Sequence, residues 1–391
     1  MGIQAGRMKG IKCYLWAKIS ILEAVARKQI VKFAPKGTAS FYDDVKQRVN
    51  EYFQTNNIPE HYNSSMVVKT VAMISMYFVP YIAIVTGLVH FSLLLYYASW
   101  LVMGLGIVGI GTSVMHDSNH GAYTTNKTMN NLLGGLLNVL GGYAQNWKIQ
   151  HNILHHTYTN VEGLDEDIEG GKGLRMSPEK ELLPIHRYQH IYAWLLYCVM
   201  NLYWITAKDY LMLFRYAKNG LLQKQKLTLK KGLIELSLLK VFYVAYIIVL
   251  PIMFSGVAWY HVIGGMVLMH VMAGLGLACI FQPAHVVETS DYSPPNDERK
   301  MEHSWAVHQV MNTANFAPNN KLVCWFIGGL NFQIEHHLFP HICHVHYPKL
   351  SRIVASVAAE HNIPYHVMPT FRSALYAHGK MLKRLGRNEK L

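Results

Sequence analysis

The sequence predicts an all-α membrane protein in which two transmembrane helical hairpins carry interfacial helices and a cytoplasmic helical cap. Three observations predict this fold class. Of the 391 residues, 51% are apolar and 15% are charged, against about 25% charged in a typical soluble domain. Four long apolar segments are grouped in two pairs. Three clusters of histidines lie just outside these segments, which indicates a histidine-rich metal site held by the cap.

The four apolar segments are long enough to cross a bilayer, since each exceeds the roughly 20 residues that a spanning helix needs. They are residues 66–89, 91–115, 235–255 and 257–283. The links within the pairs, at His90 and Gly256, are short and carry no Lys, Arg, Asp or Glu. Each pair is therefore predicted to form a tight hairpin.

The basic residues predict the orientation in the membrane. The net charge is +13, and the basic residues precede the first hairpin, lie between the hairpins and follow the second. The positive-inside rule then places both termini and the central segment in the cytoplasm. Two hairpins return the chain to one side each time, so all three histidine clusters can meet there. No nucleic-acid motif accompanies the charge, which favours anionic lipid as its partner.

The remaining segments complete the predicted organisation. Residues 128–145 and 191–207 are apolar but short, which is typical of interfacial helices. Residues 1–40 are interpreted as a basic N-terminal tail, 41–371 as one membrane domain and 372–391 as a basic C-terminal tail. The five cysteines are scattered with no CxxC pair, which argues against a disulfide framework and against a structural zinc site.

The histidine clusters carry the chemistry. They are His116 and His120 in HDSNH, His151, His155 and His156 in WKIQHNILHHTYTN, and His336 and His337 in QIEHH. On an α-helix His151 and His155 share one face, and His156 lies about 100° round from His155. Zinc takes three or four protein ligands, so this many imidazoles indicates two metal ions, for which octahedral iron is suited.

Two further ligands are candidates, and each ligand ring needs a partner on its other nitrogen. His285 lies at the cytoplasmic end of the fourth span. Gln333 either completes a coordination sphere or hydrogen-bonds a ligand. The candidate acceptors for the rings are Asp117, Asn160, Asp165, Asp167 and Glu335. For Asp165 and Asp167, exposed surface carboxylates are the alternative interpretation.

Several other patterns are interpreted as not belonging to the site. The GxGxxG of Gly104, Gly106 and Gly109 lies inside an uncharged span, whereas a dinucleotide site needs a strand before it. We expect these glycines to permit close helix packing or to line a channel. Prolines flank His341, His344 and His346, which argues against a fourth box, and Cys343, His303 and His308 are also left out. Headgroup binding and ordinary positive-inside charge both explain Lys148, Lys172, Arg175 and Arg187.

The three histidine motifs, the third in full as NFQIEHHLFPHICHVHYP, resemble the boxes of the membrane fatty acid desaturases. The Gln333 variant of the third box resembles the front-end subgroup, which inserts a double bond between an existing one and the carboxyl end. The segments ending in GLRMSP and beginning at Trp305 (WAVHQVMNTANFAPNN) resemble bacterial delta-6 (linoleoyl) desaturases. The similarity extends from about residue 41 to residue 371.

This resemblance implies a complete site and its partners. Two non-haem irons would be held by His116, His120, His151, His155, His156, His285, His336 and His337, with Gln333 as a further ligand. The reaction would use O2 to form a cis double bond in a CoA-linked or lipid-linked acyl chain. The chain has no HPGG haem motif, so electrons would come from a separate ferredoxin, or from a b-type cytochrome with its reductase.

The physical logic agrees with this chemistry. An unactivated methylene offers no acid, leaving group or dipole, and acid–base catalysis gives only about 10²–10⁴-fold acceleration. An oxidising metal centre is needed, while the protein positions the chain and excludes water. The alternatives are a hydroxylase on the same scaffold, a zinc-dependent membrane hydrolase and a histidine-rich metal transporter. A transporter needs ionisable residues in mid-span, where only His270 lies.

Overall fold

The computed structural model describes residues 31–35 and 40–389, so the predicted basic tail 1–40 lies almost wholly outside the described residues. The helices are α1 Phe41–Asn56, α2 Ser64–Val85, α3 Leu93–His120, α4 Lys127–Gly134, α5 Leu136–Val139, α6 144–158, α7 189–218, α8 Leu229–Phe254, α9 Trp259–His285, α10 Trp305–Met311, α11 Lys321–Phe326, α12 Gln333–Leu338, α13 Tyr347–Glu360 and α14 Phe371–Arg387. Short 3₁₀ turns cover Pro184–Tyr188, Leu222–Gln225 and His344–His346.

Four helices in the described part of the chain, α2, α3, α8 and α9, are long and apolar enough to span a membrane. They confirm the predicted pair of hairpins. The outward residues of α2 and α8 are apolar and exposed, as lipid contact requires: Val68 is 65% exposed and Val241 67%. Helix α3 has 28 residues and is therefore about 42 Å long. It exceeds a hydrocarbon core of about 30 Å, so its last turn reaches the membrane surface.

The glycines of the GxGxxG pattern lie where α3 touches its neighbours. A Cβ on Gly104 would lie 2.7 Å from the Met269 carbonyl oxygen of α9, and one on Gly106 would lie 2.9 Å from the Tyr77 nitrogen of α2. Residues without a Cβ let helix backbones approach this closely. The helix-packing interpretation of these glycines is confirmed.

The two predicted interfacial segments differ in outcome. Residues 128–145 form the short helices α4 and α5, as expected. The apolar segment 191–207 is only the first half of α7, which continues through a π-helical turn (Trp204–Lys208) to Lys218. The predicted helix was too short, because the amphipathic pattern continues after the apolar segment ends. Along α7 the residues Ile191, Leu195 and Leu211 are more than half exposed.

Helices α10 to α14 form the cap, with one departure from an all-α fold. Strands β1 (Asn315–Phe316) and β2 (Val367–Met368) make a two-residue parallel pair. Helix α14 covers most of the segment assigned to a basic C-terminal tail. Its buried face carries Met381, Leu382 and Leu385, which pack with residues of α7 and α9. The basic residues therefore belong to the outer face of a docked amphipathic helix.

Candidate metal centre

The first histidine pair lies on the last turn of α3. The pair belongs to the last α-helical segment of α3, Met115–His120, which follows a π-helical turn at Ile110–Val114. The rings of His116 and His120 lie 4.7 Å apart between centroids. Since α3 ends here at Gly121, which has φ +77°, the pair is presented at the end of a spanning helix.

The second box is wound differently from the α-helix assumed for it. Residues Lys148–His155 form a π-helix, in which residues five apart occupy successive turns. His156 is thereby brought beside His151, with their Nε2 atoms 3.2 Å apart, and His155 stacks on His151 at 5.2 Å. α-Helical spacing would not place His156 beside His151, whereas the π-helix does, and all three rings border one cluster.

The third box and His285 complete the cluster from the opposite side. His336 and His337 lie on the short helix α12, and His285 is the last residue of α9. The ring of His336 is 4.5 Å from that of His116, and the ring of His337 is 4.9 Å from that of His285. Four separate segments of chain therefore meet at one end of the helical bundle: α3, α6, α9 and α12.

The eight histidines form two adjoining groups of possible metal ligands. One group is His116, His120, His151 and His336, and the other is His155, His285 and His337. His156 forms a third set with His336 and His337 and so joins the two. Within each set the ligand atoms lie within 4.8 Å of one another. His120 is half-buried and the others are buried.

The unpartnered ring nitrogens test whether a metal fits. In the described chain the Nε2 atoms of His120, His285, His336 and His337 are buried without a hydrogen-bond partner. Buried polar atoms are normally satisfied, because leaving one unpaired costs about 1–3 kcal/mol. Orphan nitrogens that converge in this way are satisfied together when they bind metal ions.

For three of the histidines the opposite ring nitrogen is held by a protein acceptor, which is typical of metal-ligating histidines. His155 Nδ1 lies 3.1 Å from both oxygens of Asp165. His337 Nδ1 donates to Gln309 Oε1 at 2.7 Å, and His285 Nδ1 lies 3.3 Å from the Asn312 carbonyl oxygen. Each contact fixes a tautomer and leaves Nε2 directed at the cluster.

The other predicted acceptors have mixed outcomes. Asp167 lies 3.6 Å from His151 Nδ1 and 3.5 Å from His155 Nδ1, and Asp117 Oδ1 lies 3.8 Å from His116 Nδ1. Asn160 instead donates to the His285 carbonyl oxygen at 2.9 Å.

Glu335 also has other partners than the predicted imidazoles. It accepts from Asn315 and Tyr365, both at 2.8 Å, because its place on α12 directs it away from its histidine neighbours. Gln333 lies buried on α12, and its amide nitrogen donates to the Leu330 carbonyl oxygen at 2.8 Å.

Sequence reasoning missed three groups around the rings. Gln309 and the Asn312 carbonyl belong to the WAVHQVMNTANFAPNN segment, and the Tyr347 hydroxyl lies 3.3 Å from His336 Nδ1. The segment resembles bacterial desaturases in sequence, but a neutral amide gives no sign in the sequence that it pairs with a histidine. His308, which had been left out, is held by the Thr159 carbonyl oxygen at 2.8 Å and does not face the cluster.

Burial sets the protonation of the rings outside the spans. Burial, and then the neighbouring imidazoles, lower the pKa values of His151, His156, His336 and His337 well below the ordinary value. Neutral imidazole is the form that binds metal. For His155 burial acts in the same direction, but the carboxylates of Asp165 and Asp167 outweigh it and raise the pKa to about 9.

A cavity of about 550 Å³ reaches the cluster at His151 and His285. Its lining includes the apolar residues Leu137, Leu140 and Phe281 together with charged residues such as Glu166 and Arg215. The volume is within the range of about 300–1,000 Å³ that is typical of ligand pockets. The arrangement defines the class of protein: an all-α membrane protein in which a largely apolar cavity reaches a buried cluster of histidines able to bind metal.

Comparison with known proteins gives the family. The fatty acid desaturase family matches residues 92–369. The chain is 35% identical to an sn-1 linoleoyl-lipid 6-desaturase of Arthrospira platensis, over 89% of this chain and 93% of the relative. It is 35% identical to the Synechocystis protein of the same name, over 91% and 98%. An acyl-lipid (8-3)-desaturase of Physcomitrium patens is 33% identical, over 93% and 75%. The chain belongs to the fatty acid desaturase family.

Proposed function

We propose that this protein introduces a double bond into a fatty acyl chain by an O2-dependent reaction at two iron ions. The observation that carries the proposal is the convergence of eight buried or half-buried histidines on one cluster that borders an apolar cavity. Alkyl chains have no polar group for a protein to bind, so the apolar part of the cavity lining selects them by shape and by exclusion of water.

The proposed ligands divide between the ions along the two histidine groups. His116, His120, His151 and His336 would hold one ion, and His155, His285 and His337 the other, with His156 between them. Gln333 remains a proposed further ligand, and Asp117, Asp165 and Asp167 remain proposed partners of the rings. Iron bound there would supply the O2-dependent oxidation that removes two hydrogens from neighbouring methylenes.

The protein's own groups supply position and exclusion of water. Asp165 and Gln309 hold the Nδ1 atoms of His155 and His337, so that their Nε2 atoms keep one direction. Trp147 stacks on His151 with ring centroids 4.6 Å apart and also lines the cavity. An acyl chain seated against Leu140 and Phe281 would pass the histidine cluster in a fixed orientation, which determines the carbon that reacts.

The names of the relatives indicate the substrate. Both cyanobacterial relatives are named for a lipid-linked linoleoyl chain and for position 6, and we propose the same front-end reaction here, on an acyl lipid rather than acyl-CoA. Electrons would come from a separate ferredoxin or b-type cytochrome with its reductase. The positive-inside pattern supports a cytoplasmic active site and cytoplasmic termini.

The alternative functions receive no such support. His270, the mid-span residue that a metal transporter would use, lies 2.8 Å from the Asn201 amide nitrogen and 2.5 Å from the Tyr243 hydroxyl. It is therefore a satisfied buried histidine. The family match also disfavours a zinc-dependent hydrolase, and no contact in the described chain favours a hydroxylase over a desaturase.

The test is expression of the full chain in a host that has no delta-6 activity and is fed linoleate. We expect a new double bond at carbon 6, located by mass spectrometry, and expect it to appear in the glycerolipid pool before the CoA pool. Purified protein should contain two irons per chain and no stoichiometric zinc. Iron-loaded protein that forms no new double bond across a panel of acyl lipids and acyl-CoAs would refute the proposal.

A further inference from the structure

A line of three buried ionisable side chains leads from the first spanning helix to His116. Lys69 Nζ lies 2.6 Å from His344 Nε2, and His344 Nδ1 lies 2.8 Å from Asp117 Oδ2. The other oxygen of Asp117 faces His116 Nδ1 at 3.8 Å. None of these side chains is more than 3% exposed, so water does not satisfy them and each depends on the next.

The partners fix where the protons lie. The ionised carboxylate of Asp117 only accepts, and the ammonium of Lys69 only donates. His344 must therefore carry its proton on Nδ1, toward Asp117, and accept from Lys69 on Nε2. The backbone nitrogen of His344 also donates to Asp117, at 3.2 Å. Asp117 Oδ1 lies 3.8 Å from His116 Nδ1, too far for a hydrogen bond, so it acts on His116 through its charge. This charge favours a proton on His116 Nδ1 and leaves His116 Nε2, 3.1 Å from His151 Nε2, for a metal.

The same contacts exclude a separate metal site in this cluster. Asp117, Cys343 and His344 place possible ligand atoms within 4.8 Å of one another. However, His344 has no free nitrogen, because Asp117 takes Nδ1 and Lys69 takes Nε2. The cation of this cluster is the ammonium of Lys69, which Trp325 also faces, 5.9 Å from its ring centroid.

The charge balance shows what Lys69 does. A buried carboxylate without a counter-charge is costly, and Asp117 lies beside a ring that would bind a cation. Lys69 lies in the second turn of the spanning helix α2. Ionisable residues inside spans are rare and normally paired or functional. Its ammonium bonds to His344, and the ring and backbone nitrogens of His344 hold the Asp117 carboxylate in place beside His116.

We propose that Lys69, acting through His344 and Asp117, is a positioning residue that sets the tautomer and orientation of His116. The inference rests on the proposed function in one respect, that His116 is a metal ligand. It adds that a residue of the first span, outside all three histidine boxes, controls the affinity of the metal centre.

The test is a double-mutant cycle on the full-length protein in detergent. We expect Lys69→Met to weaken binding of Fe²⁺ about 10-fold, as loss of outer partners of a metal ligand commonly does, and to alter the visible spectrum of the Co²⁺-substituted protein. Once Asp117→Asn has removed the carboxylate, adding Lys69→Met should change little, because no charge remains to be balanced. The matched control is Lys240→Met: Lys240 pairs with Asp209 at 2.7 Å away from the histidines, and its loss should leave Fe²⁺ affinity unchanged.

Two results would overturn the inference. In the first, Lys69→Met has the same Fe²⁺ affinity and the same Co²⁺ spectrum as the unmodified protein. In the second, the effects of Lys69→Met and Asp117→Asn on Fe²⁺ affinity are additive in the double mutant. If Lys69→Met does not fold, His344→Gln replaces it in the same cycle and is judged by the same two results. Failure of the proposed function is distinguishable, because then the unmodified protein itself would not bind two irons or would not desaturate.

Discussion

Gln309 offers the sharpest test of the site, because it holds a ligand ring without being part of any histidine box. Its Oε1 atom accepts from His337 Nδ1 at 2.7 Å and from the Thr159 hydroxyl at 2.8 Å. Gln309→Leu keeps the approximate volume but removes the acceptor. A buried donor without a partner costs about 1–3 kcal/mol.

Thr159 reduces that cost. Its hydroxyl lies 3.3 Å from His337 Nδ1 and 2.7 Å from the His155 carbonyl oxygen, so it can replace part of the lost contact. We therefore expect Gln309→Leu to lose about 1–2 kcal/mol of binding free energy for the iron assigned to His155, His285 and His337. At 1.4 kcal/mol for each factor of ten, this is a factor of about 5–30 in affinity. Gln309→Glu keeps an acceptor and should retain most of the affinity.

The assay is titration of the metal-free protein with Fe²⁺, with bound iron measured after gel filtration and product measured in parallel. The matched control is Gln189→Leu. Gln189 is also a fully buried glutamine, but it bonds to Arg175 and to the Leu382 carbonyl oxygen of α14. This control should lower stability without changing iron affinity. If Gln309→Leu binds two irons with unchanged affinity, the assignment of Gln309 as the partner of a ligand is wrong.

Three further predictions test the ligands, the helix packing and the C-terminal helix. His155→Ala should remove iron and activity together in metal analysis and product assays, whereas His90→Ala, in the exposed hairpin link, should change neither. Gly106→Ala should destabilise the protein by about 1–3 kcal/mol in thermal unfolding, since its Cβ would lie 2.9 Å from backbone. A Cβ on Gly111 would lie 3.7 Å from its nearest neighbour, so Gly111→Ala should be tolerated. Equal melting temperatures of the Gly106→Ala and Gly111→Ala variants would contradict the packing argument. Arg175→Ala should speed tryptic cleavage of α14, because Arg175 bonds to the Leu385 carbonyl oxygen, while unchanged cleavage would mean that this contact does not hold α14.

The spans and the histidine boxes could be predicted from the sequence because each depends on a local property. Twenty apolar residues in a row need no partner to be recognised as a span, and histidine pairs at helical spacing are visible without a fold. The hairpin argument then placed His116, His151 and His336 on one side. That prediction holds, since these residues meet in one group.

The missing parts depend on contacts between distant segments. Nothing local distinguishes the π-helix of Lys148–His155 from an α-helix, since its wider winding is maintained by the surrounding packing. Gln309 was missed because a neutral amide in a short helix has no signature until its partner is known. The basic charge of Arg175 is compatible in the sequence with headgroup binding, but its guanidinium donates to the backbone carbonyl oxygens of Lys180 and Leu385.

The π-helix around His151 also makes the winding of this segment a constraint on function. At the α-helical winding of about 100° per residue, His156 would lie five residues and about 140° round from His151, whereas the wider π-helical turn places it beside His151 on the next turn. A segment of unchanged length with ordinary α-helical winding would keep its hydrophobic pattern, yet the His156 imidazole would turn away from His151. The packing that maintains the wide turn is therefore as necessary to the cluster as the histidines themselves.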